Sequence, residues 1–246
     1  VPALITIEGL EKTYATLAGE LRILKGINAV FQAGEMVSII GASGVGKSTF
    51  LHLLGTLDKP TAGKVLYNVT PSESLGPDKE SGHGIDPFTL SNGDLAIFRN
   101  RVIGFVFQFH YLLPEFSALE NVAIPGLISI SQTSQVKTRK ELYGRAESLL
   151  DELGLYKRKN HKPGELSGGE QQRVAVARAL IQEPKVVLAD EPTGNLDVTT
   201  GEELFRLLTD INASRGVTFI IVTHNPSLSK RCQRTLEMTD GRLTEQ

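Results

Sequence analysis

Cysteine is almost absent: Cys232 is the only one among 246 residues. A single thiol excludes an intrachain disulfide and a cysteine-built zinc site, and a reducing, cytoplasmic setting suits such a chain. Long apolar runs are missing too. No uncharged apolar run approaches the ~20 residues that cross a bilayer, and the opening Val1–Ile7 lacks the basic start of a signal peptide. No transmembrane segment is therefore expected, and a membrane role would run through partners. Nor is there an excess of charge of one sign: 26 basic residues face 28 acidic ones, for a net charge of −2. Without a long block of either sign, that balance speaks against nucleic acid as a partner. No internal repeat and no coiled-coil pattern is visible. What the chain has is length, enough for one large α/β domain, or a core with a smaller helical lobe, burying ~70–75% of its unfolded surface.

Apolar alternation around Ile5–Ile7, Ile27–Phe31 and Met36–Ile40, with Gly34-Glu35 between the last two, predicts short strands in a β layer. Val186–Ala189 and Val217–Val222 are continuous apolar runs of strand length, the pattern of strands covered on both faces. Leu142, Ala146, Leu149, Leu150 and Leu153 share one face of a helix that Thr138 and Glu141 would cap and Gly154 would end. Leu204, Leu207, Leu208 and Ile211 do the same after Thr200 and Glu203. Alternating strands and helices predict an α/β fold, a mainly parallel sheet with helices on both faces. Residues 68–93 break the pattern: eleven of these 26 are Gly, Pro or Ser. With so little apolar periodicity, the segment reads as a mobile surface excursion.

The informative stretch is Gly41-Ala42-Ser43-Gly44-Val45-Gly46-Lys47-Ser48-Thr49, which follows the apolar run Met36–Ile40 and leads into Phe50, Leu51, Leu53 and Leu54 at helical spacing. A strand, a glycine-rich loop and a helix in that order form a phosphate cradle. Successive backbone N–H groups surround a polyphosphate while the positive end of the helix dipole points at the same anion. Lys47 adds a movable charge for the terminal phosphates, and the Ser48 hydroxyl is placed to ligand magnesium. ATP or GTP is the expected ligand. Val186–Ala189 then ends in Asp190-Glu191, two carboxylates at the carboxyl edge of a buried strand, where ligands of doubly wound sheets bind. Asp190 suits the magnesium shell, and Glu191, one residue further, suits a base that accepts a proton from the water attacking the γ-phosphate.

Leu166-Ser167-Gly168-Gly169-Glu170-Gln171-Gln172-Arg173 is a second glycine-rich helix start, followed by an apolar-faced helix that stops before Pro184. With Gly41–Thr49 and Asp190-Glu191, this stretch resembles the signature of ABC ATPases. The resemblance implies a P-loop NTPase of ABC type: an N-terminal antiparallel β layer plus a parallel-sheet core over 1–94 and 167–246, and a helical subdomain over 95–166. It implies a head-to-tail homodimer, in which Ser167, Gly168, Gly169 and Glu170 touch the ATP held by the partner's phosphate loop. Asp197, in Asn195-Leu196-Asp197, matches the loop that crosses to the opposite subunit. Tyr14 matches the aromatic that stacks on adenine, Gln108 the glutamine that reaches magnesium beside the membrane-partner interface, and His224, after the strand ending at Val222, the histidine that contacts γ-phosphate. The implied catalytic set is Lys47, Gln108, Glu191 and His224, with Ser48, Gln108 and Asp190 toward magnesium.

Within that family, Gly104–Pro125, Thr193–Asp197 and Leu236–Leu243 resemble the lipoprotein-releasing group. This implies ATP hydrolysis coupled to lipoprotein release, two integral-membrane partners of the LolC and LolE kind, and a peripheral place on the cytoplasmic face of a bacterial inner membrane. The Thr193–Asp197 loop is shared with MacB-type exporters and FtsE-type division subunits, which are the alternatives. The chain departs from the pattern in its longer 68–93 excursion, in Asn68-Val69 where Asn-Gly is usual, and in Asn225, which follows His224 where aspartate is usual.

Overall fold

A computed structural model describes residues 2–17, 19–70, 75, 84–132 and 139–245, with backbone only at 130–132. Two sheets form its frame. Strands β1 (Ala3–Thr16), β2 (Gly19–Gln32) and β4 (Ala62–Tyr67) make an antiparallel sheet in the order β2-β1-β4. β1 pairs along its length with β2, Ile5 opposite Phe31 and Leu10 opposite Ile27, through register shifts. The first two strands run well beyond the apolar cores visible in sequence, because their outer halves carry polar residues on an exposed face.

The second sheet has six strands: β5 (Ile103–Val106), β6 (Val186–Asp190), β7 (Thr218–Val222), β3 (Met36–Ile40), β8 (Arg234–Thr239) and β9 (Arg242–Glu245), in that spatial order. All neighbours are parallel except the β8–β9 hairpin, which turns through Asp240-Gly241, both at positive φ. β7, the strand that leads to His224, is not the last of this sheet in the chain. Two more follow it, and β3 lies between β7 and β8.

Helix α1 (Lys47–Leu54) packs between the two sheets, α2 (Asn92–Val102) precedes β5, and α3 (Ala118–Gln132), α4 (Arg139–Glu152) and α5 (Gly168–Leu180) pack on one another. α6 (Val198–Arg215) and the short α7 (Pro226–Ser229) lie either side of β7 in sequence. The central strands read as unbroken apolar runs because successive residues serve different cores. Val186, Leu188, Ile220 and Val222 face the layer holding α1 and the antiparallel sheet, whereas Val187, Ala189, Phe219 and Ile221 face α3 to α6.

Two boundaries differ from the sequence reading, and a third falls outside the described residues. Asp197 caps α6, its carboxylate accepting from Thr200 N at 3.1 Å, so the Thr200 expected as the cap lies inside the helix. Thr138, expected to cap α4, lies outside the described residues. Of the 68–93 excursion, 71–74 and 76–83 also lie outside them, but its described end is built into the fold. Ile85 bridges to Tyr67, Asp86 caps a 3₁₀ turn at Pro87–Thr89, and Ser91 caps α2, three residues ahead of the expected helical subdomain.

Candidate active site

The loop between β3 and α1 owes its shape to glycine. Gly41, Gly44 and Gly46 have φ of 148°, 80° and 107°. A side chain at Gly41 would run into the Met238 carbonyl of β8, and one at Gly46 would come within 2.9 Å of Ile23 on β2. No acidic residue occupies the first turn of α1 and no side chain caps it, so its first N–H groups remain available to an anion. Lys47 is nearly buried and folds back, its Nζ donating to the carbonyls of Gly41 and Ala42 at 2.8 Å each.

Three further strands bring polar side chains to this loop. Ser43, Gly44, Gly46, Lys47, Ser48 and Thr49 share a cavity of about 420 Å³ with Gln108 after β5, Asp190 and Glu191 at the end of β6, and His224 after β7. The parallel register explains the convergence, because these strands all point their carboxyl ends the same way. Glu191 takes a left-handed backbone, φ 47°, held by its N–H to Val222 O and by Gly194 N–H to its own carbonyl, each 2.9 Å. Its carboxylate accepts from His224 N at 3.3 Å and lies 2.9 Å from His224 Nδ1. Gln108 is tied to the loop before α6: its Nε2 donates to Asn195 Oδ1 at 3.1 Å, and Asn195 Nδ2 donates to the Gln108 carbonyl at 3.0 Å.

Residues 24–194 match the ABC transporter family. The chain belongs to that family. It is 48% identical over 240 residues to the "Lipoprotein-releasing system ATP-binding protein LolD" of Syntrophus aciditrophicus, 98% of each chain being covered. To the protein of the same name from Myxococcus xanthus it is 47% identical over 243 residues, 99% of each. Among solved structures, the dimeric post-hydrolysis state of the ATP-binding cassette MJ0796 bound to ADP and Pi superposes with a TM-score of 0.83 at 37% identity, covering 99% of this chain and 98% of that one.

In this ABC transporter domain the other expected site residues stand outside the cavity lining. Ser167 caps α5 by accepting from Glu170 N at 3.2 Å, while Glu170 returns the contact by accepting from Ser167 N at 2.8 Å. That box leaves Ser167 and Gly168 exposed. The hydrogen bond from Ser167 N holds the Glu170 carboxyl below its ordinary value, against a smaller opposing effect of burial and with help from Arg158. Gly169 has to be glycine, because a side chain there would meet Thr200. Asp197 caps α6. Tyr14 lies on β1 beside Thr49, its hydroxyl donating to Asp58 Oδ2 at 2.7 Å.

Ile23 and Val222 also line the cavity. Neither carries a sequence signal, since an apolar residue in a strand reads as core. Asn225 caps α7 by accepting from Ser227 N at 3.0 Å, a task asparagine performs as well as aspartate, without the charge.

The cavity also suits magnesium. Ser48, Asp190 and Gln108 offer oxygen donors of the kind a hard cation takes. Among the described residues no group of three or more His, Cys, Asp and Glu is assembled to hold a metal alone. A magnesium ion that completes its shell with water and phosphate oxygens fits that sparse donor set.

Proposed function

We propose that the chain is the ATP-binding and ATP-hydrolysing subunit of an ABC complex that releases lipoproteins from a bacterial inner membrane. The observation that carries the ATPase reading is the single cavity where the phosphate loop meets Gln108, Asp190, Glu191 and His224. The lipoprotein reading is supported by relatives of that name, at 47–48% identity over nearly the whole length of both chains.

The loop N–H groups and Lys47 hold the β- and γ-phosphates, Lys47 exchanging its two carbonyl partners for phosphate oxygens. Ser48, Asp190 and Gln108 would hold magnesium, which when bound would neutralise charge on the phosphates. Glu191 accepts a proton from the attacking water, and His224 orients that carboxylate and faces the γ-phosphate. Ser167 and Gly168, exposed and outside their own cavity, present the start of α5 to the nucleotide of a second copy. ATP then lies in the interface of a head-to-tail homodimer, and hydrolysis weakens it.

Integral-membrane partners supply the path, a reading supported by the relatives' name; among the described residues no helix is long and apolar enough to cross a membrane. The partners' docking surface is the groove lined by Leu57, Phe105, Phe107, Tyr111, Pro125 and Ile128, with the exposed Phe109 beside Tyr111. α5 grips this region from behind: Gln172 Nε2 donates to Phe107 O at 3.1 Å, and Arg178 donates to the carbonyls of His110 and Tyr111 at 2.7 Å each. A shift of the signature helix is thereby passed to the docking surface, and the moving body is α5 with α3 and α4 packed on it, whereas β5, which lies within the expected 95–166 lobe, is bonded to β6 and belongs to the sheet.

The test is purification of Glu191→Gln protein with ATP from native membranes. Two integral-membrane subunits of a lipoprotein-releasing system should accompany it. Recovery of an exporter or a division protein instead would keep the ATPase and reassign the cargo.

A further inference from the structure

Lys12, Tyr14 and Asp58 form a cluster beside the cavity that the chemistry above leaves without a role. Both Asp58 oxygens are committed. Oδ1 accepts from Lys12 Nζ and from Lys59 N, each at 2.7 Å, and Oδ2 accepts from the Tyr14 hydroxyl at 2.7 Å. Lys12 is 8% exposed, too buried for an unpaired ammonium, and its Nζ also donates to Lys59 O at 2.7 Å while standing 4.6 Å over the Tyr14 ring. The strand on either side is fixed as well, by Thr61 N donating to Glu11 O at 2.9 Å and Thr13 N donating to Thr61 Oγ1 at 3.0 Å. Lys47 and Asp58 lie at opposite ends of one short covalent path, through α1 and the turn after it.

We propose that Lys12 and Asp58 are positioning residues for Tyr14, locking its ring so that the adenine of ATP stacks on the one face that Lys12 leaves open. The proposal rests on the base-stacking reading of Tyr14. A half-exposed tyrosine on a strand turns freely about its side-chain bonds, and a base that stacks on it must first order it. Here the hydroxyl is anchored to a carboxylate and one ring face is covered by an ammonium, so the ordering cost is met before nucleotide arrives. The anchor requires a protonated phenol, and burial followed by the Asp58 carboxylate raises the Tyr14 pKa, which keeps the proton in place. Burial works against the charged form of Asp58, but the bonds from Lys12, Tyr14 and Lys59 outweigh it and hold that carboxyl below its ordinary value. Because α1 joins the cluster to the phosphate loop, the ring is held at a fixed height above the phosphates.

The experiment compares magnesium-ATP with magnesium-tripolyphosphate, which carries the phosphates and no base, by competition against a fluorescent ATP analogue. The full chain is used as wild type, Tyr14→Ala, Tyr14→Phe, Asp58→Asn and Lys12→Met. Tyr14→Phe and Asp58→Asn are close to isosteric and keep the fold. Tyr14→Ala should weaken ATP most, and the other three variants about three- to tenfold, the worth of one lost anchor, with tripolyphosphate affinity unchanged throughout. If Tyr14→Ala weakens ATP while Tyr14→Phe and Asp58→Asn bind it like wild type, positioning is wrong and stacking stands. If Tyr14→Ala itself binds ATP normally, the stacking reading fails and positioning with it. Equal losses for ATP and tripolyphosphate would make the cluster a support of the phosphate loop and overturn the proposal.

Discussion

The Glu191 carboxylate and the His224 imidazole face each other across the ends of adjacent strands, Oε2 2.9 Å from Nδ1. The carboxylate is mostly shielded, at 15% exposure, and the imidazole is open, at 70%. The shielded partner is held by backbone on both sides and the open one is free to meet a ligand, which suits a base and a contact residue respectively.

Glu191→Gln should therefore bind ATP as wild type does and hydrolyse it ~10²–10⁴-fold more slowly, because only the proton acceptor is lost. The ATP-bound dimer should accumulate. Single-turnover hydrolysis and size-exclusion chromatography with ATP check the two halves; rapid turnover by the variant would remove Glu191 from its role.

Lys47→Ala acts earlier. The ammonium bridges two carbonyls of its own loop and is proposed as the mobile charge for the phosphates, so its removal should weaken ATP binding roughly 10- to 100-fold, the range for a hydrogen bond to a charged group. Equilibrium binding decides this, since normal affinity with slow turnover would instead place Lys47 in the chemical step alone.

The phosphate loop, Asp190-Glu191 and the signature turn were legible because each is a short run in which glycines or acids sit at the end of a periodic segment. The cavity joining them was legible only through topology, as its residues come from five places brought together by parallel register. Ile23 was not legible at all, because its contact with Gly46 is made across two sheets. β4, β8 and β9 carry no clear strand signal since their alternation is mixed with charged residues, and the start of α6 is ambiguous in sequence because Asp197 and Thr200 are both good caps. Tertiary packing decides such cases, and a local reading of sequence has no access to it.

Gly41→Ala tests how tightly β8 supports the loop. The added methyl would meet the Met238 carbonyl, and the backbone would be held at φ 148°. A loss of at least ~2 kcal/mol in unfolding free energy is expected. Gly164→Ala, with ordinary φ and open space around it, should change stability little. Denaturant titration of both variants gives the comparison.

Glu170 predicts a pH dependence. Its folded-state pKa lies below the ordinary 4.5, chiefly through the bond from Ser167 N, so the charged carboxylate stabilises the fold above that value. The contribution is lost as pH falls through the lower folded-state value. Wild type should therefore be more stable than Glu170→Gln at ~pH 7, with the gap narrowing as the pH is taken progressively below 4.5. Thermal unfolding of the pair across that range checks it, and a gap independent of pH would assign the effect to packing.

Ser167 separates a dimeric from a monomeric mechanism. It is exposed, starts α5 and stands outside the cavity of its own chain. Ser167→Arg should accordingly leave ATP binding by the isolated subunit intact while abolishing hydrolysis, because the bulky cation blocks the surface offered to the other copy. At an ATP concentration too low to fill its weakened cavity, Lys47→Ala should be inactive for the opposite reason, its signature turn being intact and its cavity impaired. When the two inactive proteins are mixed in equal amounts, half of randomly formed dimers are mixed. Each mixed dimer has one complete site, the Ser167→Arg cavity facing the Lys47→Ala signature. ATPase activity should therefore return to about a quarter of the wild-type level, the share of complete sites in a two-fold dimer. If the mixture stays inactive although mixed dimers form, Ser167 does not serve the opposite nucleotide and the head-to-tail arrangement is wrong for this chain.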